Sequence, residues 1–320
     1  MSSLGPLLHM RALQPGDLPP HEALSSQQTD NTTMASTPAQ LAESILAEAE
    51  SFMTAYIPAE FKTKKAPQPS PPSTAKVEVL AKEIRGADIP PRGGSGSNNQ
   101  AAPAVENWFA RTSVHENSAS KGTADWSEFV RGLCENHSVH EMEYTPDVFD
   151  AHEVLKWDRE SLQGVKGWKD VGMAVYEMCH HIPPPLNNRV FSVLVVTAQS
   201  ESSAATASVS APPGASPSFL VVQIPVNLTA VDSALYSNGK HKTSGDSDKK
   251  KQTVQLGEYV SIERAEVVDG GKNVKWQMAT ASDAKGSLPM MVQKMAIPGA
   301  VVKDVGFFID WTGKNRMGRA

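Results

Sequence analysis

The chain predicts an α+β fold in which a curved antiparallel β-sheet wraps a long C-terminal helix, with an extra helix near the N-terminus. Three observations carry this. Alternating apolar and polar residues recur in runs from residue 105 onward, the two-residue period of strands with one buried face. An apolar helical pattern follows them, from Ser287 to about Trp311. A capped amphipathic helix precedes them, starting at Thr37. A sheet that grips a helix encloses a pocket, so the leading expectation is a binder of an apolar small molecule.

The bulk composition narrows the class. With 320 residues the chain holds one large domain or two small ones, and 40% hydrophobic content supports a core. Its 23 prolines point to unpacked stretches as well. A net charge of -5 lacks the basic excess of a nucleic-acid binder. Two cysteines, Cys134 and Cys179, cannot build a disulfide framework and read as small buried hydrophobes in a reducing interior. No signal peptide is legible, because the apolar stretch Leu4 to Leu7 is broken by Gly5 and Pro6. No run approaches the roughly 20 apolar residues of a membrane span. The expected location is therefore cytoplasmic.

The elements follow in order. Residues 1–36 are rich in Pro, Ser, Gln and Thr and predict a loose segment. Residues 37–60 predict a helix: Thr37 caps it, Pro38 takes the first helical position and Gln40 completes a capping box. Leu41, Ile45, Leu46, Ala49, Phe52, Met53 and Tyr56 form its stripe, and Pro58 is expected to end it. Residues 61–104 read as a Pro/Gly/Ser-rich linker, interrupted by a short helix from Val77 to Ile84.

The main domain is expected over 105–315. Its first strand is Asn107 to His115, followed by a helix capped by Asp125 and Glu128, with Trp126, Phe129, Val130 and Leu133 on one face. Extended runs are expected at Val139 to Tyr144, Val154 to Asp158, Val171 to Ile182, Arg189 to Ala198, Phe219 to Asn227, Gln255 to Val268 and Val274 to Ser282. Low-complexity loops at 199–218 and 238–252 separate some of them. The closing helix carries two stripes. Leu288, Met291, Val292 and Met295 form the first; Val301, Val305, Phe308 and Ile309 form the second. Pro298-Gly299 between them predicts a kink or a break.

Several short motifs in one order carry a family resemblance. They are Leu4-Gly-Pro-Leu7, Trp108-Phe-x-Arg111-x-Ser113-x-His115, Trp126-x-x-Phe129, Tyr144-Thr-Pro146, Trp157-Asp158, Glu263-Arg264 and Trp276-x-Met278-Ala-Thr280-x-Ser-Asp283. The chain resembles a fungal family of START-like domains with no assigned function, within the START/Bet v 1-type helix-grip superfamily. The resemblance implies a helix-grip (START-like) fold and a lipid-type ligand, and implies no reaction. The two low-complexity loops are departures that look like insertions.

Strand alternation then sorts the candidate site. Arg111, Ser113 and His115 share one face of the first strand; Tyr259 and Glu263 share one face of a later strand; Trp276, Met278 and Thr280 share one face of the last. With Met291 and Met295 of the closing helix, these are the expected ligand contacts. Apolar wall supplies affinity, at roughly 25 cal/mol per Å² buried, and Arg111 with Glu263 is expected to hold a polar head. The plainer reading of that pair is an ion pair between neighbouring strands.

No metal and no cofactor are expected. His180 and His181 are adjacent on a strand and point to opposite faces, and His137 with His140 lacks a converging ligand set. The sequence contains no nucleophile elbow, phosphate loop or dinucleotide fingerprint. Lys249 to Lys251 offers at most transient membrane contact, since Asp246 and Asp248 balance it. Two rival functions stand beside lipid binding or transfer. One is an enzyme resembling the polyketide cyclases, with His115, Glu263 and Asp283 as candidate acid–base groups. The other is a protein-interaction module carried by the loops.

Overall fold

The computed structural model describes residues 4–28, 36–91, 105–183, 186–201, 216–238, 254–286 and 289–317. Expectations that fell on 93–97, Lys249 to Lys251, Leu288 and most of the two low-complexity loops lie outside them. The helices are α1 (Pro38–Ser51), α2 (Ile57–Glu60), α3 (Trp126–Phe129), α4 (His137–Tyr144) and α5 (Met290–Met317). The strands are β1 (Lys62–Pro69), β2 (Lys76–Arg85), β3 (Val105–Glu116), β4 (Val148–Lys156), β5 (Trp168–His180), β6 (Asn188–Ser200), β7 (Ser218–Pro225), β8 (Val254–Val268) and β9 (Asn273–Asp283).

The nine strands of the described residues form one sheet in the order β1-β2-β3-β9-β8-β7-β6-β5-β4. Neighbours in that order pair antiparallel. Beyond Pro225, where β7 ends, β6 and β8 meet directly and run parallel over 188–191 and 254–257. The sheet packs on both faces, with α5 against one of them. On one face Trp108, Val260, Ile262 and Ala281 meet α1 and the N-terminal segment. On the other Val79, Val221 and Trp276 meet Phe129, Val305 and Phe308. Strand alternation explains the division, because consecutive residues of one strand feed opposite cores.

The structure corrects four expectations and, at Pro298, rules out one of the two alternatives. Residues 4–28 are packed: Leu8, Met10, Leu13, Leu18 and Leu24 are buried, and Leu13 bridges to Val226. The carboxylate of Glu106 anchors this segment, accepting from Met10 N at 2.8 Å and from Trp108 Nε1 at 2.9 Å. These apolar residues follow no helical or strand period, so nothing in their spacing announced them.

Pro58 does not end the first helix. A wide π turn at Phe52–Tyr56 leads into α2, which runs to Glu60. The proline therefore sits inside continuous helical backbone just after the π turn, two residues before the helix ends.

The supposed linker contains the hairpin β1–β2. Val77 and Val79 are buried at strand period, which a helical reading of the same residues obscured. β1 is almost wholly exposed, so an edge strand rich in Lys and Pro left no apolar signal.

Residues 139–144 are helical, within α4, so the extended run expected there is absent. The segment is too short for its apolar residues to distinguish the two periods.

α5 continues through Pro298 without a break. Val301, Val302, Val305 and Phe308 are buried beyond the proline. Their packing outweighs a local penalty of about 3 kcal/mol. Among the described residues no helix is long and apolar enough to cross a membrane.

Candidate ligand cavity

A cavity of about 650 Å³ lies between the sheet, α4 and α5. Met178, Phe191, Trp276, Met278, Ile297 and Val301 give it apolar walls. Gly257 makes room for one of them, since a Cβ there would stand 2.4 Å from the Phe191 ring. Ala296, Gly299, Ala300 and Lys303 of α5 line the cavity and are also exposed, which places its mouth along the first half of that helix.

The strand register builds the central charged pair. Arg111 of β3 and Glu263 of β8 both pair with Met278 of the intervening β9. They therefore face the same side, one on each flank of β9, and Arg111 Nη2 donates to Glu263 Oε1 at 3.0 Å. Arg111 is 1% exposed and Glu263 7%. The guanidinium also lies over the Trp276 ring, 3.9 Å from its centre. Arg111 Nε, Arg111 Nη1 and Glu263 Oε2 have no hydrogen-bond partner. These three atoms lie behind the cavity wall, with almost no accessible surface of their own.

A second polar group comes from the helices. His137, Glu141 and Tyr144 sit at helical spacing on α4 and line the cavity, facing Asp304 of α5. His137 Nδ1 donates to Leu133 O at 2.7 Å, and its Nε2 accepts from Gln223 Nε2 at 3.0 Å. Burial raises the Glu141 carboxyl above its usual range. Burial likewise lifts Asp304 to about 7; Arg111 opposes the shift, while Glu141 and Glu263 reinforce it. Burial also raises the Tyr144 and Tyr259 hydroxyls, which stay protonated and able to donate.

The expected site residues divide. Arg111, Tyr259, Glu263, Trp276, Met278 and Thr280 line the cavity together. Ser113 and His115 are not among its lining residues. They lie further along β3, where His115 Nε2 meets Ser113 Oγ at 2.8 Å and the ring packs on Phe129 and Trp276. Burial, aided by the Arg111 charge, lowers His115 to about 3, so it is neutral. Met291 and Met295 are 73% and 75% exposed. They point away from the cavity because Gln293 takes the inward position, its Oε1 accepting from Ala284 N at 2.8 Å. Asp283 is also absent from the wall and instead meets Lys285 Nζ at 3.1 Å.

His180 and His181 both line the cavity, although adjacent strand residues should diverge, because β5 ends at His180. Among the described residues no group of three or more His, Cys, Asp or Glu is placed to hold a metal. Cys134 and Cys179 are buried and free, and burial pushes the Cys134 thiol up to about 12.

Sequence reasoning missed Glu141, Tyr144 and Asp304. The first two were hidden by reading their segment as extended. Asp304 had a signal: it is a carboxylate set among Val301, Val305 and Phe308 on the apolar stripe of α5.

Comparison with solved structures finds human STARD10 at 13% identity, covering 89% of this chain and 86% of that one, with a TM-score of 0.44. Human StAR-related lipid transfer protein 5 is similar at 10% identity, covering 86% and 94% of the two chains, with a TM-score of 0.46. The lipid transfer and protein localization domain of human StarD13 (DLC2) is similar at 13% identity, covering 78% and 89%, with a TM-score of 0.39. No curated protein matches the chain significantly. The family model described as "Protein of unknown function (DUF3074)" matches residues 108–312, from the strand that carries Arg111 into the last turns of the closing helix, and the chain belongs to that family.

Proposed function

We propose that the protein binds a lipid or another amphipathic small molecule in this cavity, and that it carries such a molecule between membranes. One observation supports the reading above all. A cavity of about 650 Å³ joins apolar walls to a buried Arg111–Glu263 pair whose remaining polar atoms are unpartnered. Small-molecule sites have roughly 300–1,000 Å³ of space, apolar lining and a few polar groups that orient the guest.

The position of the mouth supports transfer. Exposed Met291, Val292 and Met295 lie within two turns of the mouth residues Ala296 and Gly299. Apolar side chains there can enter the boundary of a bilayer while the cavity loads. The two free, buried cysteines favour a reducing, cytoplasmic setting. An acid–base enzyme built on His115, Glu263 and Asp283 lacks this support, because of the three only Glu263 lines the cavity.

The direct test is organic extraction of the purified protein followed by mass spectrometry. An amphipathic compound near one per chain is expected. An empty extract, with no uptake of fluorescent fatty acids, sterols or phospholipids, overturns the proposal.

A further inference from the structure

The charges around the cavity do not balance. Glu141, Asp147, Glu263 and Asp304 line it, against Arg111 and Lys303, with His137, His180 and His181 beside them. Arg111 is already paired with Glu263, and Lys303 is exposed at the mouth. Among the described residues Asp304 forms no hydrogen bond or ion pair. Glu141 reaches the Gln223 amide and His137 Nε2, each at the long distance of 3.5 Å. Glu263 Oε2, on a side chain more than nine-tenths buried, is unpartnered. His180 does not redress the excess, since burial lowers it to about 4.

Resting on the cavity reading above, we infer that the guest carries a protonated amine as its head, held by the carboxylates of Glu141 and Asp304, with Glu263 also on the cavity wall. An ammonium brings three donors to the Asp304 carboxylate, which lacks a partner among the described residues, and to Glu141, whose two contacts are long at 3.5 Å. It also offsets a carboxylate excess inside a poorly solvated space, where like charges repel strongly. A carboxylate or phosphate head would face Arg111, but within the field of four acidic groups. An alcohol would satisfy one acceptor and leave the charge excess in place.

The binding step carries a proton signature. In the empty cavity Asp304, with its raised affinity for protons, holds one for part of the time at neutral pH. When the ammonium enters, the carboxyl gives that proton to solvent and remains as carboxylate beside the bound cation. Loading an amine therefore releases protons near pH 7, whereas loading an alcohol does not.

The experiment compares dodecylamine, dodecanol and dodecanoate, which share one chain length, by titration calorimetry on the full chain. Repeating each titration in buffers of different ionisation enthalpy counts the protons released. Dodecylamine is expected to bind at least about tenfold more tightly than dodecanoate, with proton release near pH 7. The near-isosteric Glu141→Gln and Asp304→Asn remove charge without volume, and together should erase most of that preference; Asp304→Asn alone should abolish the proton release. Dodecanoate binding as tightly as dodecylamine, or a preference that survives in the double variant, overturns the amine head while leaving the cavity reading standing. Uptake of none of the three overturns both.

Discussion

Ser70 Oγ stands inside the backbone ladder of α5, accepting from Gly306 N at 2.8 Å and donating to Val302 O at 2.6 Å. An α-helix normally pairs those two backbone groups directly. The hydroxyl at the β1–β2 turn thereby fastens the hairpin to the helix that closes the cavity. Gly306 is required for the close approach, since a Cβ there would stand 2.4 Å from Pro71 O. Ser70→Ala is expected to lower unfolding free energy by about 1–3 kcal/mol, the cost of stranding buried polar groups. Gly306→Ala should cost at least as much, because backbone must shift. Urea denaturation measures both, and an unchanged midpoint for Ser70→Ala would show the bridge to be idle.

The Arg111–Glu263 pair should behave as a buried unit. Arg111→Met leaves a carboxylate with its ion-pair partner gone and should destabilise by about 3–5 kcal/mol. Arg111→Met combined with Glu263→Leu should recover most of that loss while weakening ligand discrimination. A double-mutant cycle reads the coupling, and simple additivity of the two losses contradicts it.

Asp304 should make the fold less stable as pH rises. Its carboxyl is raised from 3.8 to about 7 in the folded chain. The folded state then holds a proton that the unfolded state has lost, so its contribution is fully present below about pH 4 and is lost as pH approaches 7. Arg111, Glu141, Tyr144, Asp147, Glu263 and Lys303 face the same cavity and shape the same window. Because His115 and His180 shift in the opposite sense, the informative quantity is a difference. Asp304→Asn relative to wild type should gain on the order of a few kcal/mol between pH 4 and pH 8. Parallel stability curves for the two proteins would contradict the assignment.

Met291 and Met295 should matter for transfer and not for folding. Both are largely exposed, so Met291→Asp with Met295→Asp should change stability by no more than about 0.5 kcal/mol per site. Transfer of a fluorescent lipid between vesicles should slow several-fold, because charge opposes insertion into the bilayer boundary. Transfer at the wild-type rate would separate this patch from loading.

The N-terminal segment should be structural and remote from binding. Glu106→Ala strands Met10 N and Trp108 Nε1 in a buried setting, with an expected loss of about 1–3 kcal/mol. Residues 4–28 should become susceptible to protease. Ligand affinity should hold, because Trp108 feeds the core on the opposite face of the sheet from Trp276 and the cavity. Intact protease resistance in the variant would show that the anchor lies elsewhere.

Strand alternation and helix capping made the main sheet, the closing helix and the inward face of Arg111 and Glu263 legible before any tertiary contact was known. Alternation in β3, β8 and β9 is a local property, so the inward placement of Arg111, Glu263, Trp276, Met278 and Thr280 could be read residue by residue. The capping boxes at Thr37 and Asp125 were legible for the same reason. Only tertiary structure decided the rest. The register across β9 brought Arg111 and Glu263, 152 positions apart, to 3.0 Å. Packing, not periodicity, buried Leu8 and Leu13, carried α5 through Pro298 and turned Met291 and Met295 outward. The acidic character of the cavity arises because α4 and α5 bring Glu141 and Asp304 together, and the energetics of that encounter depend on burial and on neighbours distant in the chain.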